Sequence, residues 1–220
     1  MFRRFVGATA ALASVATLFG VQSGVAHAEA VPVLGGGSGI VVGGQNICTL
    51  TTIGHDSGGR LVGFTAGHCG EPGATVAAEA NRGGGVVGTF AYTNSAQDYA
   101  VIVFDQDRVA PVNTVGGTTI TGVGGPPRFP DIVCKEGRTT GRTCGLTYGD
   151  AFTYGNATWT QACVAEGDSG GPVVAGTTLV GMVNGYLGVP CLGPEIGVNI
   201  TDILNDANAR GDAGAGFRPI

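Results

Sequence analysis

The chain has 220 residues, 43% of them hydrophobic and 12% charged, which excludes a disordered polymer and leaves room for one sizeable core or two small ones. Its 42 glycines and 10 prolines are scattered without period, so a collagen-like rod is excluded and many tight turns are expected. The net charge of −5 and the single lysine, Lys135, leave no basic patch to neutralise phosphates, which argues against a nucleic-acid partner.

In chain order, residues 1–28 read as an export signal: Arg3 and Arg4, an apolar stretch from Phe5 to Val21, then "VAHAEA", where Ala26 and Ala28 form an A-x-A cleavage site. Cleavage there leaves nine basic against sixteen acidic residues. The expected product is secreted, extracellular or associated with the cell wall, with no stable membrane insertion. "VPVLGGGSG" follows as a flexible lead-in. Then come short runs rich in Val, Ile, Thr and aromatics, each closed by glycine: "GIVVGG", "CTLTTIG", "LVGFTAGHC", "GGGVVGTFAYT" and "DYAVIVF". Such runs, about ten residues apart, signal the strands of a sandwich or barrel. "DRVAPVNTVGG", Asp107 to Gly117, reads as an extended connector. It divides the chain into an N-terminal β-half over 29–112 and a C-terminal half over 113–220. The second half repeats the pattern until "NITDILNDANA", where Ile200, Ile203, Leu204 and Ala207 share one helical face behind Asn199 or Thr201 as N-cap.

Six cysteines follow the signal: Cys48, Cys69, Cys134, Cys144, Cys163 and Cys191. An even number behind an export signal reads as three disulfides, and the absence of any C-x-x-C pair argues against a zinc site. Fifteen pairings remain open from spacing alone.

"GDSGG", Gly167 to Gly171, fits the G-x-S-x-G turn that carries a nucleophilic serine in more than one fold. A serine hydroxyl needs a base, and histidine titrates in the right range. His27 lies in the signal, which leaves His55 and His68, both ahead of Ser169. The α/β-hydrolase order requires a histidine after the serine and is excluded. The order acid, histidine, serine would rest on Asp56, crowded against His55 and twelve residues before His68. Histidine, then aspartate, then serine is the order that remains.

The residues in that order resemble motifs of the secreted trypsin and chymotrypsin-like serine proteases, closest to the bacterial streptogrisin and α-lytic protease branch. "FTAGHCG" resembles the family's T-A-x-H-C motif at His68; taken alone, His68 is equally a solvated loop histidine, the reading kept for His55. "QDYAVIVF" resembles the family's aspartate motif at Asp98, whereas Asp105, Asp107, Asp131 and Asp150 sit in turn-like settings. "CVAEGDSGGP" resembles the serine motif at Ser169. The resemblance implies an all-β fold of two antiparallel six-stranded β-barrels with a short C-terminal helix. It implies a catalytic triad of His68, Asp98 and Ser169, an oxyanion hole from the amides of Gly167 and Ser169, no cofactor or metal, and a peptide or protein substrate cut by a monomer. It also implies the pairs Cys48–Cys69, Cys134–Cys144 and Cys163–Cys191.

"VCKEGRTTGRTCG" resembles the α-lytic protease segment that neutralises the aspartate before the serine with an internal cation, here Lys135 toward Asp168; otherwise Lys135 is a solvated surface group. The pocket walls implied are Gln161 and Ala162, Val183, Asn184, Gly185 and Tyr186, and the stretch after Cys191, with Glu195 nearby. Asn184 departs from the family's usual serine, which hydrogen-bonds the catalytic aspartate; it is bulkier but still able to donate. No aspartate occupies the usual pocket base and Tyr186 narrows the entrance, so the expected P1 side chain is small or medium and apolar. The rival expectation, motivated by Asn184 and Tyr186, is a weakly active or inactive protease fold that binds a peptide or cell-wall component.

Overall fold

The computed structural model describes residues 30–149 and 157–220. The signal segment, Glu29 and Asp150 lie outside them.

The first half contributes β1 (Val33–Leu34), β2 (Gly39–Val42), β3 (Asn46–Thr49), β4 (Thr52–His55), β5 (Leu61–Ala66), β6 (Thr75–Ala78), β7 (Val86–Asn94) and β8 (Tyr99–Phe104). The connector carries β9 (Ala110–Pro111), β10 (Thr114–Val115) and β11 (Thr118–Thr119). The second half supplies β12 (Gly122–Val123), β13 (Ile132–Gly137), β14 (Gly141–Leu146), β15 (Ala157–Thr160), β16 (Pro172–Ala175), β17 (Thr178–Tyr186) and β18 (Glu195–Asn199). Helix α1 (Ile200–Arg210) and β19 (Arg218–Pro219) end the chain.

Two large sheets result, beside the small pairs β1-β9 and β10-β11, and the chain folds as an all-β architecture of two curled sheets with one C-terminal helix. The first runs β19-β4-β5-β8-β7-β6-β2-β3. β3 and β4 are legs of one segment broken at Leu50 and Thr51, so six strands form the expected barrel and β19 is added at its edge. The second runs β14-β13-β16-β17-β18-β15, six strands, with β12 joining β17 in parallel. β5 is buried at every position and β8 at all but Val103; they are neighbours in mid-sheet, where apolar runs are covered on both faces.

The helix starts as its sequence pattern requires. Asn199, not Thr201, is the N-cap, and Ile200, Ile203 and Ala207 are its buried face. Gly211 ends it in the left-handed region at φ 73°, where a side chain would be strained. The tail then crosses back to the first sheet. Phe217 meets Phe64 edge-on with centroids 5.0 Å apart, and Arg218 pairs with His55 across β19 and β4. Asp56 secures this return by accepting hydrogen bonds from the Gly214 amide at 3.2 Å and the Arg60 side chain at 2.7 Å. Asp56 is thus a structural anchor, and His55 an exposed strand residue. No helix among the described residues is long and apolar enough to cross a membrane.

Candidate active site

The antiparallel pairing of β5 with β8 sets Ala66 opposite Tyr99. The residues just beyond those ends, His68 in the tight turn Gly67–Cys69 and Asp98 ahead of β8, are therefore neighbours although thirty positions apart. The His68 backbone amide donates to Asp98 Oδ1 at 2.7 Å, and His68 Nδ1 lies 2.8 Å from Asp98 Oδ2. Asp98 adopts φ 49°, in the left-handed region that aspartate enters more readily than most side chains. Its neighbour Tyr99 is tied by its hydroxyl to Asp206 of α1, which also accepts from Asn94 Nδ2 at 3.1 Å. Arg210 stacks on Tyr92 beside them.

A third contact reaches Asp98 from the other sheet. The pairing of β17 with β18 shifts register between Val183 and Gly185. That bulge leaves Asn184 out of the ladder and frees its side chain to turn. Asn184 Nδ2 donates to Asp98 O at 2.7 Å and to Asp98 Oδ2 at 2.8 Å, and Asn184 Oδ1 is buried without a partner among the described residues. Burial alone would raise the Asp98 pKa, but the donors from His68 and Asn184 hold the carboxyl below its ordinary value. Conversely, the hydrogen bond to Asp98 raises the His68 pKa above 6.5 despite partial burial.

Ser169 approaches from the second half. Its turn is stitched to the first sheet: the Thr49 amide donates to Ser169 O at 2.8 Å, Thr49 Oγ1 to Gly167 O at 2.8 Å, and Thr51 Oγ1 to Gly170 O at 2.6 Å. Ser169 Oγ itself makes one long contact, 3.5 Å, to Asn184 O. His68, Ser169, Glu166 and Gly167 line a common cleft of about 260 Å³ beside Cys48 and Cys69. The amides of Gly167 and Ser169 have no acceptor among the described residues. Gly167 takes φ 93°, and a Cβ there would stand 2.5 Å from Thr139 Oγ1.

Lys135 and Asp168 meet beneath this turn. Lys135 Nζ donates to Asp168 Oδ2 at 3.1 Å and to Gly141 O at 2.8 Å, and also contacts Thr140 Oγ1; both charged side chains are fully buried. Asp168 Oδ1 accepts from the Thr139 and Thr140 amides at 2.9 and 3.1 Å, and Oδ2 from the Ala165 amide and Thr140 Oγ1. Burial opposes the carboxylate's charge, but the Thr140 hydroxyl, the Ala165 amide and Lys135 together hold its pKa down. Lys135 is not the solvated surface group of the plain alternative.

All three disulfides form in the pairs implied by the resemblance, Cys48–Cys69, Cys134–Cys144 and Cys163–Cys191. The expected wall residues lie on adjoining strands. Gln161 and Ala162 follow β15, while Val183, Asn184, Gly185 and Tyr186 end β17. Between them, Glu195 on β18 pairs with both Thr160 and Tyr186. Its carboxyl is wholly buried, accepts from Thr160 Oγ1 at 2.7 Å through Oε2, and leaves Oε1 without a partner among the described residues. Burial pushes its pKa up to about 8, so near neutrality it is largely uncharged. Residues 150–156, which join β14 to β15, lie outside the description. Among the described residues, no group of three or more His, Cys, Asp or Glu is placed to hold a metal ion.

No protein-family model matches the chain. Among curated proteins, glutamyl endopeptidase 2 of Streptomyces griseus is 33% identical over 169 residues, 71% of this chain and 86% of the relative. Among solved structures, protease A of Thermobifida fusca superposes with a TM-score of 0.66 at 26% identity, over 80% of this chain and 96% of that one. A glutamic acid-specific serine protease described as using a novel histidine triad in substrate binding superposes with a TM-score of 0.66 at 27% identity, over 80% and 98%.

Proposed function

The chain belongs to the bacterial chymotrypsin-like serine proteases, and we propose that it is a secreted endopeptidase working through His68, Asp98 and Ser169. The observation that carries this reading is the 2.8 Å contact from Asp98 to His68 Nδ1 at the edge of a cleft that is also lined by Ser169 and Gly167, whose amides have no acceptor among the described residues.

In this scheme Ser169 Oγ attacks the scissile carbonyl while His68 Nε2 takes its proton. Asp98 accepts the Nδ1 proton, fixing the tautomer and stabilising the imidazolium. The tetrahedral oxyanion lies against the amides of Gly167 and Ser169, donors aimed in advance at charge that develops only in the transition state. His68 then protonates the leaving amine, and water repeats the sequence on the acyl-enzyme. The scheme requires no metal or organic cofactor. Lys135 keeps Asp168 ionised as the anchor of the oxyanion turn.

The wall residues favour a small or medium, apolar P1 side chain. Tyr186 ends β17 beside Glu195, and Glu195 offers little charge at neutral pH. Glutamate specificity through a histidine triad is poorly supported in this chain. Its two described histidines are His68, already bonded to Asp98, and His55, exposed on β4. The three disulfides support an oxidising, extracellular destination, and a single chain suffices to assemble the site, in keeping with a monomer.

The test is labelling by a fluorophosphonate probe, with Ser169→Ala as control. Labelling of the wild type alone supports the endopeptidase. A folded wild type that stays unlabelled refutes it and points to the peptide-binding reading.

A further inference from the structure

We propose that the hydroxyl of Thr139 positions the oxyanion-binding amide of Gly167, an inference that rests on the endopeptidase reading above. The carbonyl and the N–H of one trans peptide lie in a common plane and point in opposite directions. Whatever grips the Glu166 carbonyl therefore aims the Gly167 amide. Thr139 Oγ1 is that grip, donating to Glu166 O at 2.7 Å.

The two oxyanion donors are held by different means. The Ser169 amide shares its plane with the Asp168 carbonyl, which accepts from the Gly171 amide at 2.8 Å. That is a backbone bond, present whatever the side chains. The Gly167 amide depends on a side chain, and its own residue, at φ 93°, lacks the Cβ that would penalise rotation of the plane. Without Thr139 the Glu166–Gly167 peptide is free to turn its carbonyl toward the cleft, replacing a donor with an acceptor.

Thr139 is itself secured from both halves of the protein. Its amide donates to Asp168 Oδ1 at 2.9 Å, and its hydroxyl accepts from Arg138 Nη1 at 3.2 Å while donating to Glu166. The Arg138 guanidinium forks onto Glu79 in the first half, with Nε 2.8 Å from Oε2 and Nη2 against Oε1. The Arg138 amide reaches Thr49 Oγ1 at 3.1 Å, the same hydroxyl that holds Gly167 O. The turn between β13 and β14 thus grips Glu166 and Asp168 directly and, through Thr49, supports the hold on Gly167 between them. Thr139 is exposed at the surface, so it can be changed without opening a core cavity.

The experiment compares Thr139→Val, which keeps the shape and removes the hydroxyl, with Thr139→Ser, which keeps the hydroxyl. Thr139→Val is expected to lower kcat about three- to tenfold, the weight of one neutral hydrogen bond at the transition state, with KM within about twofold of wild type. Inhibition by a peptide aldehyde, whose hemiacetal oxygen occupies the oxyanion position, weakens in parallel. Thr139→Ser returns both to within about twofold of wild type. An unchanged kcat in Thr139→Val, a loss carried by KM, or failure of Thr139→Ser to rescue overturns the inference and leaves the endopeptidase reading standing. A folded wild type that neither labels with fluorophosphonate nor cuts peptide overturns both.

Discussion

Lys135 Nζ lies 3.1 Å from Asp168 Oδ2, and neither side chain touches solvent. The pair joins β13 to the residue before Ser169, and Asp168 binds the Thr139, Thr140 and Ala165 amides with the same carboxylate. Removing the cation leaves a buried anion without its counter-charge, a change that costs about 3–5 kcal/mol in comparable pairs. Lys135→Met is expected to fold with a clearly lowered melting temperature and nearly no activity, because the oxyanion turn loses its fixed position. Calorimetry and probe labelling on the same sample check this; full labelling of Lys135→Met would refute the anchoring role.

Asn184 replaces the serine usual in the family, yet it gives Asp98 two hydrogen bonds from one nitrogen. Bonds to a charged acceptor are worth about 1.5–3 kcal/mol, so Asn184→Ala is expected to lower kcat/KM about tenfold or more. Asn184→Ser retains a donor and keeps most activity. Asn184→Asp sets a second carboxylate against Asp98 and falls below Asn184→Ala, since like charges at this range cannot both ionise freely. Steady-state kinetics on the three variants test the order; Asn184→Asp outperforming Asn184→Ala would contradict it.

His68, Asp98 and Ser169 are legible in the sequence because each sits in a short, stereotyped backbone setting: a strand end before Cys69, the start of an apolar strand, a glycine-bracketed turn. The link between Lys135 and Asp168 spans 33 positions. It is readable because the chain has one lysine and a segment resembling a known one. What escapes sequence reading depends on register. Thr139 touches Glu166 only because β13 and β14 close their hairpin beside the serine turn; the resemblance already pointed Asn184 at Asp98, but not the bulge in β17 that frees its side chain to reach there. The return of β19 to the first sheet carries no local signal, since "FRPI" is too short to show alternation. Tyr99 and Asp206 are likewise brought together only by the packing of α1.

The pH dependence of activity follows from the His68 and Asp98 pair. His68 must be neutral to accept the serine proton, and its pKa is raised above 6.5, chiefly by the hydrogen bond to Asp98. kcat/KM is therefore expected to climb with pH and reach its half-maximal value above pH 6.5. Asp98→Asn removes the acceptor, lowers that midpoint, and reduces kcat on the order of 10⁴-fold by releasing the tautomer. For stability the sign is opposite. The raised histidine pKa contributes stability that is complete below pH 6.5 and is lost as pH rises through the raised value. Asp98, held below 3.8, contributes stability above that value, lost on acidification. A pH–rate profile and imidazole NMR titration check both; a wild-type midpoint below 6.5 would contradict the pairing.

Glu195 supplies a second and separable pH signature. Its pKa is pushed from an ordinary 4.5 up to about 8 by complete burial, against the opposing effects of the Thr160 hydroxyl and Lys135. The folded state therefore holds a proton that the unfolded state releases between pH 4.5 and about 8. Stability from this group is full below pH 4.5 and is lost progressively as pH rises through about 8. Glu195→Gln keeps the hydrogen-bonding shape and cannot ionise. Melting temperatures from pH 5 upward are expected to fall toward alkaline pH for the wild type and to fall markedly less for Glu195→Gln. The glutamine variant, uncharged across the range, should also retain at pH 9 the P1 profile it has at pH 7. Parallel melting curves for the two proteins would mean that Glu195 ionises on the folded protein as readily as on the unfolded chain. That result would contradict its complete burial.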